Sequence, residues 1–202
     1  MNKNITIIIL LGGKSKRMGG GIKSLLKING VKILDKILNK LLPEKNKIII
    51  NCNEGEKKIL KYQYPIVKDS FTGFLGPLAG IHAGMKWIVN NDPKCDWLIS
   101  LPSDTPFIPN NLISELKKKM TPKIKIILVK YDGKIHPVIG AWHISLFENL
   151  AEEIDLGARK ILSWAENHPI DFVNYLEKDY DPFFNINDKK DLKLASEIDK
   201  KI

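Results

Sequence analysis

The residues of this chain with the clearest chemistry lie in a glycine-rich basic loop that follows an apolar run. Residues 5–11 read ITIIILL, and residues 10–23 read LLGGKSKRMGGGIK. A β-branched run that ends at glycine is typical of a buried strand. The glycines allow backbone N–H groups to approach phosphate oxygens closely. Positive charge comes from four side chains, Lys14, Lys16, Arg17 and Lys23. The combination predicts a phosphate-binding loop rather than a solvated basic turn.

The glycine spacing differs from the two common nucleotide-binding patterns. A P-loop needs Gly-Lys followed by Ser or Thr, and the dinucleotide fingerprint needs Gly-x-Gly-x-x-Gly. The glycines of this loop fall at positions 12, 13, 19, 20 and 21. The spacing therefore indicates a different class of nucleotide-binding protein.

A second candidate site follows the apolar run at 97–101, in the segment LPSDTPFIP at 101–109. It places Asp104 at the exit of a predicted strand, where the flanking prolines restrict the backbone. A carboxylate held in this way suits Mg²⁺, a hard ion that prefers oxygen ligands. The alternative is a turn residue or an N-cap for a helix from Asn110. The presence of the predicted phosphate-binding loop at 10–23 favours the interpretation of Asp104 as a metal ligand.

Several other polar residues and glycines follow predicted strands or begin a helix. Asn51 and Asp69 follow predicted strands, which suits a ligand-binding role. An ordinary Asx turn at Asn51 and a solvated carboxylate at Asp69 would give the same sequence pattern. The segment Gly76–Gly80 begins a helix, and its glycines allow close approach of a ligand. In Asn185-Ile-Asn187, alternation predicts both amides on one side of a short strand. Capping of the final helix explains those two asparagines equally well.

The predicted elements alternate between strand and helix. Strands are predicted over 5–11, 25–28, 47–51, 66–68, 97–101, 124–131, 138–142 and 171–176. Helices are predicted over 33–42, 54–63, 76–89, 110–120 and 188–200, with a broken helix over 145–165. This alternation predicts a three-layer α/β sandwich with a mostly parallel central sheet, a Rossmann-like fold. Ligands of such folds bind at the carboxyl ends of the strands, where the candidate residues gather.

Composition predicts one domain over residues 1–202, with 44% hydrophobic residues for its core. The net charge of +9 favours anionic partners, but no nucleic-acid-binding motif accompanies it, so we expect no nucleic-acid partner. The apolar runs are too short to span a membrane, and we expect no membrane partner. Cys52 and Cys95 lack the spacing of a metal site or disulfide scaffold, which predicts a cytoplasmic protein.

The loop at 10–23 resembles the signature of small nucleotidyltransferases, and above all that of the molybdenum cofactor guanylyltransferases. Their usual form is Leu-Ala-Gly-Gly, a few residues, Arg-Met-Gly and a lysine. The segment around Asp104 is similar to their Pro-Cys-Asp-Thr-Pro motif, and Gly76–Gly80 matches their Gly-Pro-Leu-Ala-Gly. Within the loop, Leu11 stands in place of alanine and Ile22 in place of an aspartate. In the second motif Ser103 replaces the cysteine, and after Asn187 the family's Thr-Pro is replaced by Asp188-Lys189.

The resemblance implies transfer of GMP from GTP to molybdenum-bearing molybdopterin, with Mg²⁺ as cofactor. It implies Lys23, Arg17 and Asp104 as catalytic residues, and Asp104 and Asn187 as metal ligands. The implied nucleotide-binding residues are Leu10, Leu11, Gly12, Gly13, Lys23, Asn51, Asp69, Gly76, Gly80 and Asp104. The implied residues for the molybdopterin substrate are Arg17, His136, Arg159, Asn185 and Asn187.

Two alternatives remain open at this stage. One is a cytidylyltransferase or another NTP-transferase acting on a phosphorylated metabolite, although the Gly12-Gly13 pair favours the guanylyl type. The other is a non-catalytic molybdopterin carrier or chaperone, which would be expected to lack Asp104 or Lys23.

We further expect a monomer whose partners are molybdoenzymes or their chaperones.

Overall fold

The computed structural model describes residues 4–11, 22–54, 56–71, 73, 76–176 and 179–202. The strands are β1 (Ile5–Leu10), β2 (Lys27–Ile28), β3 (Val31–Lys32), β4 (Lys47–Asn51), β5 (Ile66–Val67), β6 (Trp97–Pro102), β7 (Ile126–Tyr131), β8 (Lys134–His143) and β9 (Ile170–Tyr175). The α-helices are α1 (Ile33–Leu41), α2 (Pro77–Asn91), α3 (Leu112–Lys119), α4 (Phe147–Asp155), α5 (Ile161–Ala165) and α6 (Lys189–Ile198).

Seven strands form the central sheet, in the order β5-β4-β1-β6-β8-β7-β9. The pairs β5–β4, β4–β1, β1–β6 and β7–β9 are parallel, whereas β8 is antiparallel to both β6 and β7. The prediction of a mostly parallel sheet is confirmed. A strand such as β1, buried along its whole length, belongs at the centre of such a sheet.

Two apolar cores lie on opposite faces of this sheet. Alternate β1 residues divide between them, so that Ile7 and Ile9 join the core under α1 and α3, whereas Ile8 joins the core under α2 and α4. This division follows from the period of two along a strand. The predicted three-layer sandwich is therefore confirmed.

Some local predictions differ from the structure. The predicted strand 25–28 is a 3-10 turn at Lys23–Leu25 followed by the β2–β3 hairpin, whose Asn29-Gly30 turn has positive φ at both residues. The predicted helix 54–63 is two short 3-10 helices, Glu56–Lys58 and Leu60–Tyr62. Asn185–Asn187 lies outside any strand, so that prediction is wrong. This segment docks on the loop after β6 instead of joining a sheet.

All four histidines occupy surroundings that lower their pKa, with burial as the main cause. The most buried, His82, packs its ring against Phe71 and Phe147, with ring centroids 4.8 Å away in each case. Each ring is therefore neutral in the folded protein over a pH range where the unfolded chain, with an ordinary pKa of about 6.5, takes up a proton.

Stability should consequently fall on acidification. The contribution of the histidines to the free energy of unfolding is complete above the pKa of the unfolded chain. It is lost as the pH falls from that value through the lower pKa values of the folded protein. We expect the Tm to decrease between about pH 7 and about pH 5, and we expect His82→Leu to reduce this decrease. Thermal denaturation followed by circular dichroism at a series of pH values measures both. An unchanged pH dependence in His82→Leu would contradict the assignment to His82.

Candidate active site

The carboxyl ends of β1, β4 and β6 lie side by side at one edge of the sheet. Leu11 N–H donates to the Asn51 carbonyl at 2.9 Å, and Ser103 N–H donates to the Leu10 carbonyl at 3.2 Å. These bonds bring the residues after three separate strands to one place. Gly12, Gly13 and Arg17 lie outside the described residues.

At this edge the Lys23 ammonium contacts two oxygen atoms from distant parts of the chain. Its Nζ lies 3.0 Å from Asp104 Oδ2 and 3.3 Å from Asn187 Oδ1. The Lys23 and Asp104 side chains are only 15% and 16% exposed. The structure therefore unites three residues that the sequence predicted for catalysis and metal binding.

Asp104 occupies an environment that suits a cation. Burial raises the pKa of its carboxyl group, although the neighbouring Lys23 ammonium opposes that rise. Its Oδ1 is buried and has no hydrogen-bond partner among the residues that the structure describes. Asp104 does not cap α3, whose N-cap is Asn111. A buried carboxylate oxygen without a partner is an expected metal ligand.

Asn187 is free to face Asp104 because other residues cap α6. Asp188 accepts from the N–H groups of Lys190 and Asp191, and Asp191 in turn accepts from the N–H of Asn187 at 2.7 Å. This capping box excludes the alternative in which the asparagine side chains cap the helix. Ile186 is fully buried, and its N–H donates to the Asp104 carbonyl at 3.0 Å. The predicted alternation therefore holds, with Asn185 and Asn187 exposed, although no strand carries it.

The oxygen donors at Asp104 and Asn187 fit Mg²⁺. Within the described part of the chain, no group of three or more His, Cys, Asp or Glu side chains is arranged to hold a metal. One carboxylate and one amide leave several positions for water and phosphate oxygens, which is the usual Mg²⁺ arrangement at triphosphates.

A second polar cluster lies after β4 and β5. Asn51 Nδ2 donates to Asp69 Oδ1 at 2.9 Å, and Asn53 Nδ2 donates to Asp69 Oδ2 at 2.8 Å. Asp69 N–H returns a bond to Asn53 Oδ1 at 2.9 Å. Neither an Asx turn at Asn51 nor a solvated acid at Asp69 describes this arrangement. Asn53 was not identified from the sequence, and its position two residues after Asn51 is the signal that indicates it.

The glycines of α2 serve packing and backbone conformation. A Cβ at Gly80 would lie 2.8 Å from both Asn51 Oδ1 and Leu10 Cδ2, so protein atoms fill the space where a ligand was expected. Gly76, the N-cap of α2, has φ = 74°, a conformation that favours glycine. Gly80 thus acts on the site by making room for Asn51.

Gly80→Ala is expected to weaken binding of GTP, the nucleotide that the motif resemblance implies, about 10-fold because the new methyl group displaces the Asn51 amide. Gly84→Ala is a matched control one turn further along α2, since its Cβ would meet Leu98 Cδ2 at 2.8 Å and Ile8 Cδ1 at 2.9 Å, away from the site. Both variants should lose stability, but only Gly80→Ala should bind GTP less tightly. Calorimetric titration with GTP measures the difference, and equal losses of affinity in the two variants would contradict this role.

Apart from Arg17, which lies outside the described residues, the residues predicted for the molybdopterin substrate are distributed over two places. The His136 ring lies 5.0 Å from that of Phe183, on the segment leading to Asn185 and Asn187. Arg159 Nη1 donates to the carbonyls of Ile154 and Ala158 at the end of α4. Its backbone oxygen lies near the start of α2, 4.0 Å from where a Gly76 Cβ would be. The structure therefore places His136 against the segment that carries the two asparagines and places Arg159 on α4's side of the sheet.

The sheet and the polar residues at its carboxyl edge together define an α/β nucleotidyltransferase. The family described as MobA-like NTP transferase domain matches residues 7–170. The chain belongs to this family of MobA-like NTP transferases.

Individual relatives agree with this assignment. A protein of Nitrobacter hamburgensis named molybdenum cofactor guanylyltransferase is 34% identical over 193 residues, which cover 95% of this chain and 92% of the relative. A protein of the same name from Yersinia pestis is 33% identical over 197 residues, 96% of each chain. The crystal structure of molybdopterin-guanine dinucleotide biosynthesis protein A from Archaeoglobus fulgidus has a TM-score of 0.77 and 26% identity, covering 98% of this chain and 100% of that one. The resemblance found in the sequence motifs is confirmed.

Proposed function

We propose that this protein transfers GMP from GTP to the terminal phosphate of molybdenum-bearing molybdopterin, forming molybdopterin guanine dinucleotide and pyrophosphate. The observation that supports this most is the contact of Lys23 with Asp104 and Asn187 in a chain whose relatives carry the name molybdenum cofactor guanylyltransferase.

The reaction is a direct displacement at the α-phosphorus of GTP. A phosphate oxygen of molybdopterin forms a new bond to that phosphorus, and the bond from the α-phosphorus to the bridging oxygen of pyrophosphate breaks. Pyrophosphate leaves with the electron pair. Such a displacement needs alignment and neutralisation of charge rather than a protein nucleophile.

The described residues provide groups for both the alignment of the phosphates and the neutralisation of their charge. Lys23 would present its ammonium group to the triphosphate, and Asp104 and Asn187, whose oxygens Lys23 contacts in this structure, would hold Mg²⁺. When bound, the ion stabilises the negative charge that develops on the phosphate oxygens. The Asp69 carboxylate, held by Asn51 and Asn53, accepts hydrogen bonds from donor groups of the nucleotide. Arg17, outside the described residues, is assigned to the phosphates.

A product assay tests the proposal. The purified protein is incubated with Mg²⁺, molybdenum-loaded molybdopterin and one NTP at a time, and pyrophosphate and the dinucleotide product are quantified. GTP alone is expected to give both products, and omission of molybdopterin should remove both. Turnover with CTP in preference to GTP would refute the choice of base. Binding of molybdopterin without turnover would refute the transferase and support a carrier.

We also infer a cytoplasmic monomer of one domain that delivers its product to molybdoenzymes or their chaperones. Cys52 and Cys95 are both buried and form no disulfide, as expected in a reducing compartment. No helix in the described parts of the chain is long and apolar enough to cross a membrane. Light scattering after size-exclusion chromatography tests the monomer.

A further inference from the structure

Strand β8 carries an irregularity next to the active site. Its pairing with β7 matches Leu128 with Gly140 but Val129 with His136, so residues 137–139 have no counterpart on β7. Bulges of this kind bend a strand and change the direction of its side chains. Because β8 is antiparallel to its neighbours, its first residues lie at the edge where β6 ends and Asp104 follows.

A buried hydrogen-bond chain secures this bulge. The Trp142 Nε1–H donates to Ser100 Oγ at 2.8 Å, and the Ser100 hydroxyl donates to the Val138 carbonyl at 2.6 Å. Ser100 and Trp142 are fully buried. Residue 137 is proline, which has no N–H for a ladder bond. The Ser100 hydroxyl therefore gives the Val138 carbonyl a hydrogen-bond donor at a point where regular pairing between β7 and β8 is interrupted.

The sheet opens at the same point. Pairing of β6 with β8 ends at Ser100 and Gly140, although β6 continues to Pro102. A Cβ at Gly140 would lie 2.6 Å from the Ile127 carbonyl oxygen and 3.4 Å from Trp142 Cζ2, so the close packing that holds the indole needs glycine there. The N-terminal part of β8 beyond this point is therefore not paired with β6, and its His136 ring contacts Phe183.

The bulge determines where His136 lies. The His136 ring packs on Phe183, and within the described chain its Nε2 is buried without a hydrogen-bond partner. Phe183 belongs to the segment whose Ile186 N–H is bonded to the Asp104 carbonyl. A buried ring nitrogen without a partner requires an explanation, and a polar substrate atom bound beside this segment would supply the missing hydrogen bond.

We propose that Ser100 is a positioning residue: its hydroxyl, held by Trp142, fixes the β8 bulge and so directs His136 toward the molybdopterin substrate. The inference deepens the proposed GMP transfer and rests on it for the identity of the substrate. It assigns Ser100 to the acceptor side of the reaction, separate from the GTP contacts at Asn51 and Asp69.

Ser100→Ala tests the proposal. We expect the KM for molybdopterin to increase about 10-fold, with kcat changed by less than about 3-fold and the affinity for GTP unchanged. In NMR titrations the pKa of the His136 ring, lowered by burial in the parent protein, should move toward its ordinary value. Thr6→Val is the matched control, since it removes a buried hydroxyl from the opposite end of neighbouring β1.

The outcomes separate this inference from the proposed function. An unchanged KM for molybdopterin, or equal effects in Thr6→Val, would overturn the positioning role. If the parent protein transfers no GMP, the proposed function fails. In that case the titration still tests the inference, because an unchanged pKa of His136 in Ser100→Ala would show that Ser100 does not fix the position of the His136 ring. Trp142→Phe, which keeps an aromatic side chain but removes the N–H together with the five-membered ring of the indole, should shift the KM for molybdopterin and the His136 titration in the same direction and serves if Ser100→Ala does not fold.

Discussion

GMP transfer is expected to fall at least about 10³-fold in kcat when Asp104 is replaced by asparagine. The substitution keeps the shape of the side chain but removes the only carboxylate that contacts Lys23 among the described residues. It also removes the charge of Oδ1, the buried oxygen without a partner. Steady-state measurement of pyrophosphate release with GTP and molybdopterin gives the change.

A loss of folding would not explain this result. Burial raises the pKa of Asp104, which means that the folded protein disfavours the charged form, so the neutral asparagine should leave the Tm of the metal-free protein unchanged or higher. Asp96→Asn is the matched control, because Asp96 is exposed and directly precedes the same strand at its opposite end. Retained GMP transfer in a folded Asp104→Asn variant would contradict the assignment of the metal site.

Lys23→Met is expected to have two effects in opposite directions. The kcat/KM for GTP should fall about 10²-fold, because the triphosphate loses an ammonium partner. The affinity of the nucleotide-free protein for Mn²⁺, a spectroscopic substitute for Mg²⁺, should increase about 10-fold, because the cation competing for Asp104 and Asn187 is gone. Steady-state kinetics and electron paramagnetic resonance of free Mn²⁺ measure the two effects.

Two further variants distinguish the contact of Lys23 with Asp104 and Asn187 from an effect of the protein's overall positive charge. Lys27→Met removes an exposed ammonium from the β2–β3 hairpin four residues further along and should change neither quantity appreciably. Lys23→Arg keeps the charge and should not strengthen Mn²⁺ binding. If Lys23→Met bound Mn²⁺ no better than the parent protein, direct competition between the ammonium and the metal would be refuted.

Sequence patterns predicted the features whose causes lie within a few residues. The β-branched run of β1 and the proline-bounded Asp104 after β6 both form as predicted, because period, rotamer and φ preferences act locally. The order of elements then predicted the parallel sheet and the common edge of the site.

Other features depended on contacts that no local pattern encodes. The alternation at 185–187 left two explanations open, and the capping box of Asp188 and Asp191 decided between them. Gly80 suggested a ligand contact, whereas the packed structure puts Asn51 and Leu10 against it. Asn53 and Ser100 carry no distinctive motif, and their partners, Asp69 and the Val138 carbonyl, are 16 and 38 residues away.

The sequence by itself determined that this chain is an α/β protein with the motifs of its family, and it predicted a phosphate loop and a metal-binding aspartate. Only the tertiary structure decided that Lys23 lies 3.0 Å from an aspartate 81 residues away and near an asparagine 164 residues away. The physical reason is that motif chemistry and strand period are properties of neighbouring residues, whereas the meeting of these side chains depends on strand order, on the docking of Ile186 against the Asp104 loop and on many weak packing contacts acting together.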